Sequence, residues 1–159
     1  MKPRAYIETT VVSYLTGRTG RNLIIAAHQE LTREWWDEVL PVLGGCISDL
    51  VLEEASDGDA TAAAKRLEAL QSIPVLLPGK ASVEITEAIM ASGLVPEAYV
   101  NDAVHVAIAA ANGIEFLVTW NCKHLANAWI RTRLVSLIES LGYRCPVICT
   151  PEELMEAPQ

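Results

Sequence analysis

The 159-residue sequence contains no apolar run approaching the length of a bilayer span, no CxxC pair and no glycine-rich phosphate loop after its first strand-like segment. The first absence argues against membrane insertion, the second against common redox and zinc motifs, and the third against a Rossmann-type nucleotide enzyme. Met1-Lys2-Pro3-Arg4 leads directly into a strand-like stretch without an apolar signal region, so export is not expected. Basic residues are also scarce: 12 Lys and Arg stand against 20 Asp and Glu, a formal net charge of -8. That balance disfavours a general nucleic-acid scaffold, which needs clustered cations to displace counterions from phosphates. It is compatible with a nuclease carrying a local basic rim, with an acidic groove for divalent cations, or with a groove covered by a basic partner.

What is present suffices for one sizeable core. Hydrophobic residues make up 51% of the chain, and this length builds one domain more readily than two, so a single domain over 1–159 is expected. Cys46, Cys122, Cys145 and Cys149 read as reduced thiols of a cytoplasmic protein. Cys145 and Cys149 flank a strand-like segment, where they act as small hydrophobes.

Strand-like segments at 4–8, 45–48, 73–77, 115–119 and 146–149 alternate with helical stretches, the pattern of an α/β fold with a central parallel sheet of about five strands flanked by helices. A short helix follows Thr9 or Thr10, and a long one is expected from about Leu23 to Leu40, closed by Pro41 and Gly44-Gly45. Ser48 is placed to cap a helix running to about Ser56, and a second helix then runs through Gln71. Further helices are expected near 82–91, from Asn101 to Ala111 with Asn112-Gly113 as its stop, and from Lys123 to Leu141 with a break near Asn127.

In open parallel sheets, ligands gather beyond the carboxyl ends of the strands. Four oxygen-bearing residues occupy or neighbour such positions: Glu8, Glu54, Asp102 and Asn121. Glu8 ends the first strand, where a carboxylate also interacts favourably with the next helix N-terminus. Glu54 is separated from Glu53 by helical geometry. Successive residues point about 100° apart, so Glu54 falls within the arc of Leu50, Val51, Leu52 and Ala55, while Glu53 joins the polar face. A carboxylate on a buried face must be paired, protonated or metal-bound, unless its long side chain bends out to solvent. Asp102 opens the almost wholly apolar segment 103–111, either as an N-cap or as a site residue. His105 is the lone polar interruption of that segment and reads as a hydrogen-bonded core histidine. Hard divalent cations such as Mg²⁺ prefer an oxygen set of this kind.

Tyr6-Ile7-Glu8-Thr9-Thr10, Ser48 to Glu54, Asn101 to Ala107 and Leu117-Val118-Thr119-Trp120-Asn121 together resemble, in order, the PIN-domain family and, within it, the VapC-like ribonuclease toxins of type II toxin–antitoxin systems. The resemblance spans most of the chain. It implies a PIN-like, Rossmann-like fold and a Mg²⁺ or Mn²⁺ site with Glu8, Glu54 and Asp102 at the three acidic positions, and Asn121 where many members carry a further aspartate. Thr10 and Thr119 match supporting hydroxyl residues. The implied reaction is hydrolysis of RNA phosphodiesters by metal-activated water, and the implied partners are a cognate antitoxin laid over the groove and a second copy of the chain in a homodimer. Two departures stand out. Glu8 is one methylene longer than the usual aspartate, and Asn121 keeps an acceptor oxygen but loses the charge. A catalytically silent PIN-like module that binds RNA or protein is therefore the alternative.

Arg18, Arg21, Lys123 and His124 form a candidate RNA rim, or else are solvated loop charges. Trp120 reads as a core or interface residue more readily than as a base-stacking one. Trp35 and Trp36, adjacent on the long early helix, point in different directions and thus allow an interface beside the core.

Overall fold

The computed structural model describes residues 1–156, and residues 157–159 of the expected domain lie outside the described residues. Five parallel strands form the sheet: β1 (Arg4–Ile7), β2 (Gly44–Ser48), β3 (Val75–Leu76), β4 (Phe116–Val118) and β5 (Val147–Cys149), in the order β3-β2-β1-β4-β5. The chain winds from β1 to one side, then returns to place β4 and β5 on the other. In register, Tyr6 lies between Cys46 and Leu117. Ala5, Tyr6 and Ile7 are fully buried, as expected of a central strand covered on both faces. The expected α/β class and five parallel strands are therefore observed.

Seven α-helices flank the sheet among the described residues: α1 (Thr9–Thr16), α2 (Leu23–Glu34), α3 (Asp49–Ala55), α4 (Ala60–Leu70), α5 (Lys80–Ser92), α6 (Val100–Ala111) and α7 (Ala128–Ser140). Their ends follow from local chemistry. The Ser48 hydroxyl accepts from Val51 N–H at the start of α3, and the Asp59 carboxylate accepts from Ala62 N–H at the start of α4. Gly113 takes φ +64° just after α6, a conformation that costs glycine no steric penalty.

Two helices differ from the sequence expectation. The stretch 23–40 is not one α-helix: α2 ends at Glu34 and is followed by a π-helical turn, Trp35–Val39, and a 3₁₀ turn, Leu40–Val42. A π turn widens the helix and rotates the following residues. Here it buries Trp35 completely and lets its neighbour Trp36 pack against the same core, the two rings edge to face at 6.3 Å. The break expected near Asn127 is observed, but the segment from Lys123 to that break is not helical: α7 begins at Ala128, because Asn121 organises residues 122–126 as a turn. Its backbone carbonyl accepts from Leu125 and Ala126, and the Asn127 side chain then caps α7 through Trp129 N–H. The third strand is shorter than 73–77 because Pro74, which has no N–H, contributes only its carbonyl, to Ile47 N–H.

All four cysteines are free thiols, and only Cys122 is exposed. Burial pushes the Cys46 thiol up to about 11 and those of Cys145 and Cys149 up to about 12, so these three stay protonated and inert near neutral pH. Titration of the folded protein with a thiol-specific reagent is expected to show one fast group, lost in Cys122→Ser, with the other three reacting only on unfolding. More than one fast thiol in the folded protein would contradict this burial pattern.

Candidate functional site

The site grows from the carboxyl edge of the three central strands. Glu8 follows β1 directly and is only 4% exposed. A carboxylate so placed requires strong donors, and it has three. Its Oε1 accepts from the hydroxyls of Thr10 and Thr119, both at 2.6 Å, and its Oε2 accepts from Thr10 N–H at 2.9 Å. Each hydroxyl in turn accepts a backbone N–H: Trp120 donates to Thr10 Oγ1 and Asn121 to Thr119 Oγ1, both at 2.9 Å. Glu8, Thr10 and Thr119 thus bind the end of β1 to the end of β4, and the same bonds set the path of the chain through Asn121.

A second group lies around α3 and α6. Glu54, 28% exposed at its side chain, accepts through Oε1 from the Thr9 hydroxyl at 2.6 Å and lies 2.6 Å from His105 Nε2. Glu53, by contrast, is exposed. His105 Nδ1 lies 2.6 Å from the Tyr6 hydroxyl, which lies 2.7 Å from Ser48 Oγ. One proton assignment satisfies the whole chain: Ser48 donates to Tyr6, Tyr6 donates to His105 Nδ1, and His105 Nε2–H donates to Glu54. Burial pushes the Tyr6 hydroxyl well above its ordinary range, reinforced by Glu8 and Glu54 and opposed by the bond to Ser48, so it stays protonated. Burial also pushes Glu54 upward, but the hydrogen bond and electrostatic pull of His105, with hydrogen bonds from Thr9 and Asn101, outweigh it and hold this carboxyl below its ordinary value.

Asp102 lies in the first turn of α6 without capping it. Its Oδ2 is 2.9 Å from His124 Nδ1, and the His124 backbone N–H donates to Asn121 Oδ1 at 3.0 Å. His124 is buried, which removes it from the candidate RNA rim: its ring belongs to Asp102. Arg18, Arg21 and Lys123 are exposed. Trp120 is a core residue, stacked on His28 at 4.0 Å and donating through Nε1 to Thr32 Oγ1 at 2.7 Å.

These bonds join Glu8, Thr10, Thr119, Asn121 and Asp102 through His124, and Glu54 through His105. Asp102 and His105, three residues apart on α6, share a helix face and bring the two halves together. His105, Thr9, Tyr6 and Ser48 are not among the candidate site residues of the sequence, and His124 is a candidate there only for the RNA rim. The one available signal for the first was that a buried histidine on an apolar helix needs partners.

Among the described residues, no three His, Cys, Asp or Glu side chains are grouped as a metal cage. Mg²⁺ does not require one, since it commonly takes one or two carboxylates together with waters and substrate phosphate oxygens. Glu54 and Asp102 fit that requirement, because the Thr9, His105 and His124 contacts engage Glu54 Oε1 and Asp102 Oδ2 and lie on one oxygen of each carboxylate. Glu8 and Asn121 fit it less directly, since their acceptor oxygens already hold protein donors.

No protein-family model matches the chain, and no curated protein matches it. Among solved structures it is similar to a chain in the crystal structure of VapBC2 from Rickettsia felis bound to a DNA fragment from their promoter, with a TM-score of 0.52 and 15% identity over 92% of this chain and 97% of that one. The likeness establishes a shared PIN-like fold.

Two outcomes follow from this geometry. Thr119→Val is expected to lower stability by about 1–3 kcal/mol, because the buried Glu8 carboxylate loses a donor. The urea midpoint should fall with an unchanged slope, and an unmoved midpoint would remove Glu8 from its linking role. For Glu54, a depressed folded-state value means that its stabilising contribution is present above the ordinary 4.5 and is lost as pH falls through the lower folded value. The stability gap between wild type and Glu54→Gln should therefore be widest near neutral pH and narrow in acid. A gap that widens in acid would reverse the sign of the interaction.

Proposed function

We propose that this protein is a Mg²⁺- or Mn²⁺-dependent endoribonuclease, the VapC-like toxin of a toxin–antitoxin pair. The observation that carries the reading is the pair Glu54 and Asp102, each steadied through one oxygen by a buried histidine at the carboxyl edge of a PIN-like sheet. These two residues would hold the ion, with Glu8 and Asn121 completing the donor set by exchanging hydrogen bonds they now make. When bound, such an ion supplies charge for a developing phosphate oxygen and lowers the pKa of water.

The chain's own residues do the positioning. His105 and Thr9 fix the rotamer of Glu54, and His124 fixes that of Asp102, so neither carboxylate is free to turn away. Thr10 and Thr119 fix the buried Glu8 carboxylate in place by donating to it. A cognate antitoxin would place Arg or Lys against Glu54 and Asp102, since cations complement a paired carboxylate site. A homodimer belongs to the same proposal.

The silent-module reading draws on a different observation, the prior commitment of the Glu8 and Asn121 oxygens to protein donors. Catalysis and metal binding separate the two. RNA cleavage should require Mg²⁺ or Mn²⁺, and Glu54→Gln or Asp102→Asn should each reduce it more than about 100-fold, beyond the loss typical of outer-sphere partners. Both variants should unfold cooperatively, as wild type does. Metal-independent cleavage indifferent to both substitutions would reject the mechanism, and calorimetry showing no Mn²⁺ binding would favour the silent module.

A further inference from the structure

Tyr99 is a large ring held away from the interior. It is 46% exposed and is not among the residues packed against the core. Its backbone is nonetheless well anchored: Tyr99 N–H donates to the Pro96 carbonyl at 2.8 Å, closing the 3₁₀ turn Glu97–Tyr99 that runs into α6. The side chain does not cap α6. The ring instead lies 4.4 Å from the ring of His124, tilted by 50°, and Lys123 Nζ lies 5.7 Å from its centroid. Because His124 also holds Asp102, the exposed ring and its ammonium neighbour are linked to a candidate site carboxylate through one buried imidazole.

That combination suits a particular ligand. A partly exposed aromatic ring stacks on a nucleobase once the ammonium group over it moves aside, and that ammonium group takes the adjoining phosphate. Every base has a π-face, so a contact made by stacking tolerates sequence. The base must be unstacked from its own helix to reach the ring, which selects single strands over duplex. In a chain of net charge -8, phosphate approach depends on local cations of this kind.

We infer that Tyr99 is a stacking platform for a nucleobase of single-stranded RNA, with Lys123 leaving the ring to engage the phosphate beside that base. This rests on the ribonuclease reading for the identity of the polymer, and it adds the element that seats the strand next to Asp102.

The test uses the full chain in EDTA, with a short single-stranded RNA carrying 2-aminopurine, whose fluorescence falls on stacking. Wild type should bind and quench. Tyr99→Ala should bind about ten-fold more weakly and lose the quench, while Tyr99→Phe and Tyr99→Trp retain it. Lys123→Ala should weaken binding and reduce the logarithmic salt slope by about one while leaving the quench at saturation. Tyr99→Ala that binds and quenches like wild type, duplex RNA bound with the same dependence on Tyr99, or no binding of the single strand would overturn the platform. Tyr99-dependent quenching without Mn²⁺-supported cleavage would leave the platform standing and reject the nuclease. Cleavage with Tyr99-independent affinity would do the reverse.

Discussion

A carboxylate that is nearly sealed from water must be surrounded by donors, and the arrangement of this protein's central edge follows from how Glu8 meets that demand. Three donors converge on it from two segments that are distant in sequence, and two of them are hydroxyls that also accept backbone N–H groups. The result is a short polar joint across the seam between β1 and β4. It fixes the exit of the chain from both strands, into α1 after β1 and into the Asn121 turn after β4. The extra methylene that distinguishes Glu8 from an aspartate lets the carboxylate reach across to Thr119 while still meeting Thr10 N–H.

Around this joint, two further carboxylates are treated differently. Glu54 and Asp102 are each held from one side by a histidine that is itself buried, and they remain more exposed than Glu8. Burying imidazoles beside carboxylates supplies directed N–H donors without bringing a fixed cation into the interior. The Tyr6 and Ser48 hydroxyls behind His105 extend this logic into the sheet, because they leave the ring one tautomer that satisfies every group. A deeply placed aromatic hydroxyl therefore governs the orientation of a carboxylate near the surface.

Much of this was legible in local pattern. The strand alternation, the Ser48 cap and the assignment of Glu54 rather than Glu53 to the inward face follow from periodicity and capping, which act over a few residues. The histidine partnerships were not legible, because Glu54 and His105 are 51 residues apart and Asp102 and His124 are 22 apart. Nothing local distinguishes a histidine that completes such a pair from one that merely fills space. The π turn at Trp35 escaped for a related reason: the demand to bury two adjacent indoles arises only once the sheet they pack on exists. The short turn after Asn121 escaped because its side chain competes with the backbone for hydrogen bonds, a contest that helical periodicity does not register.

Glu8 and Thr119 are separated by 111 positions along the chain. Synthesis proceeds from the N-terminus, so the joint between them cannot close until β4 has left the ribosome, and His124 reaches Asp102 only slightly later. A nascent chain would thus carry Glu8 and Glu54 long before their neighbours across the edge are made. Contacts of such long range also slow folding, since the connecting loop must be closed before they repay its entropy. Whatever chemistry this edge performs is consequently withheld until most of the polypeptide has been made, a delay built into the order of the strands.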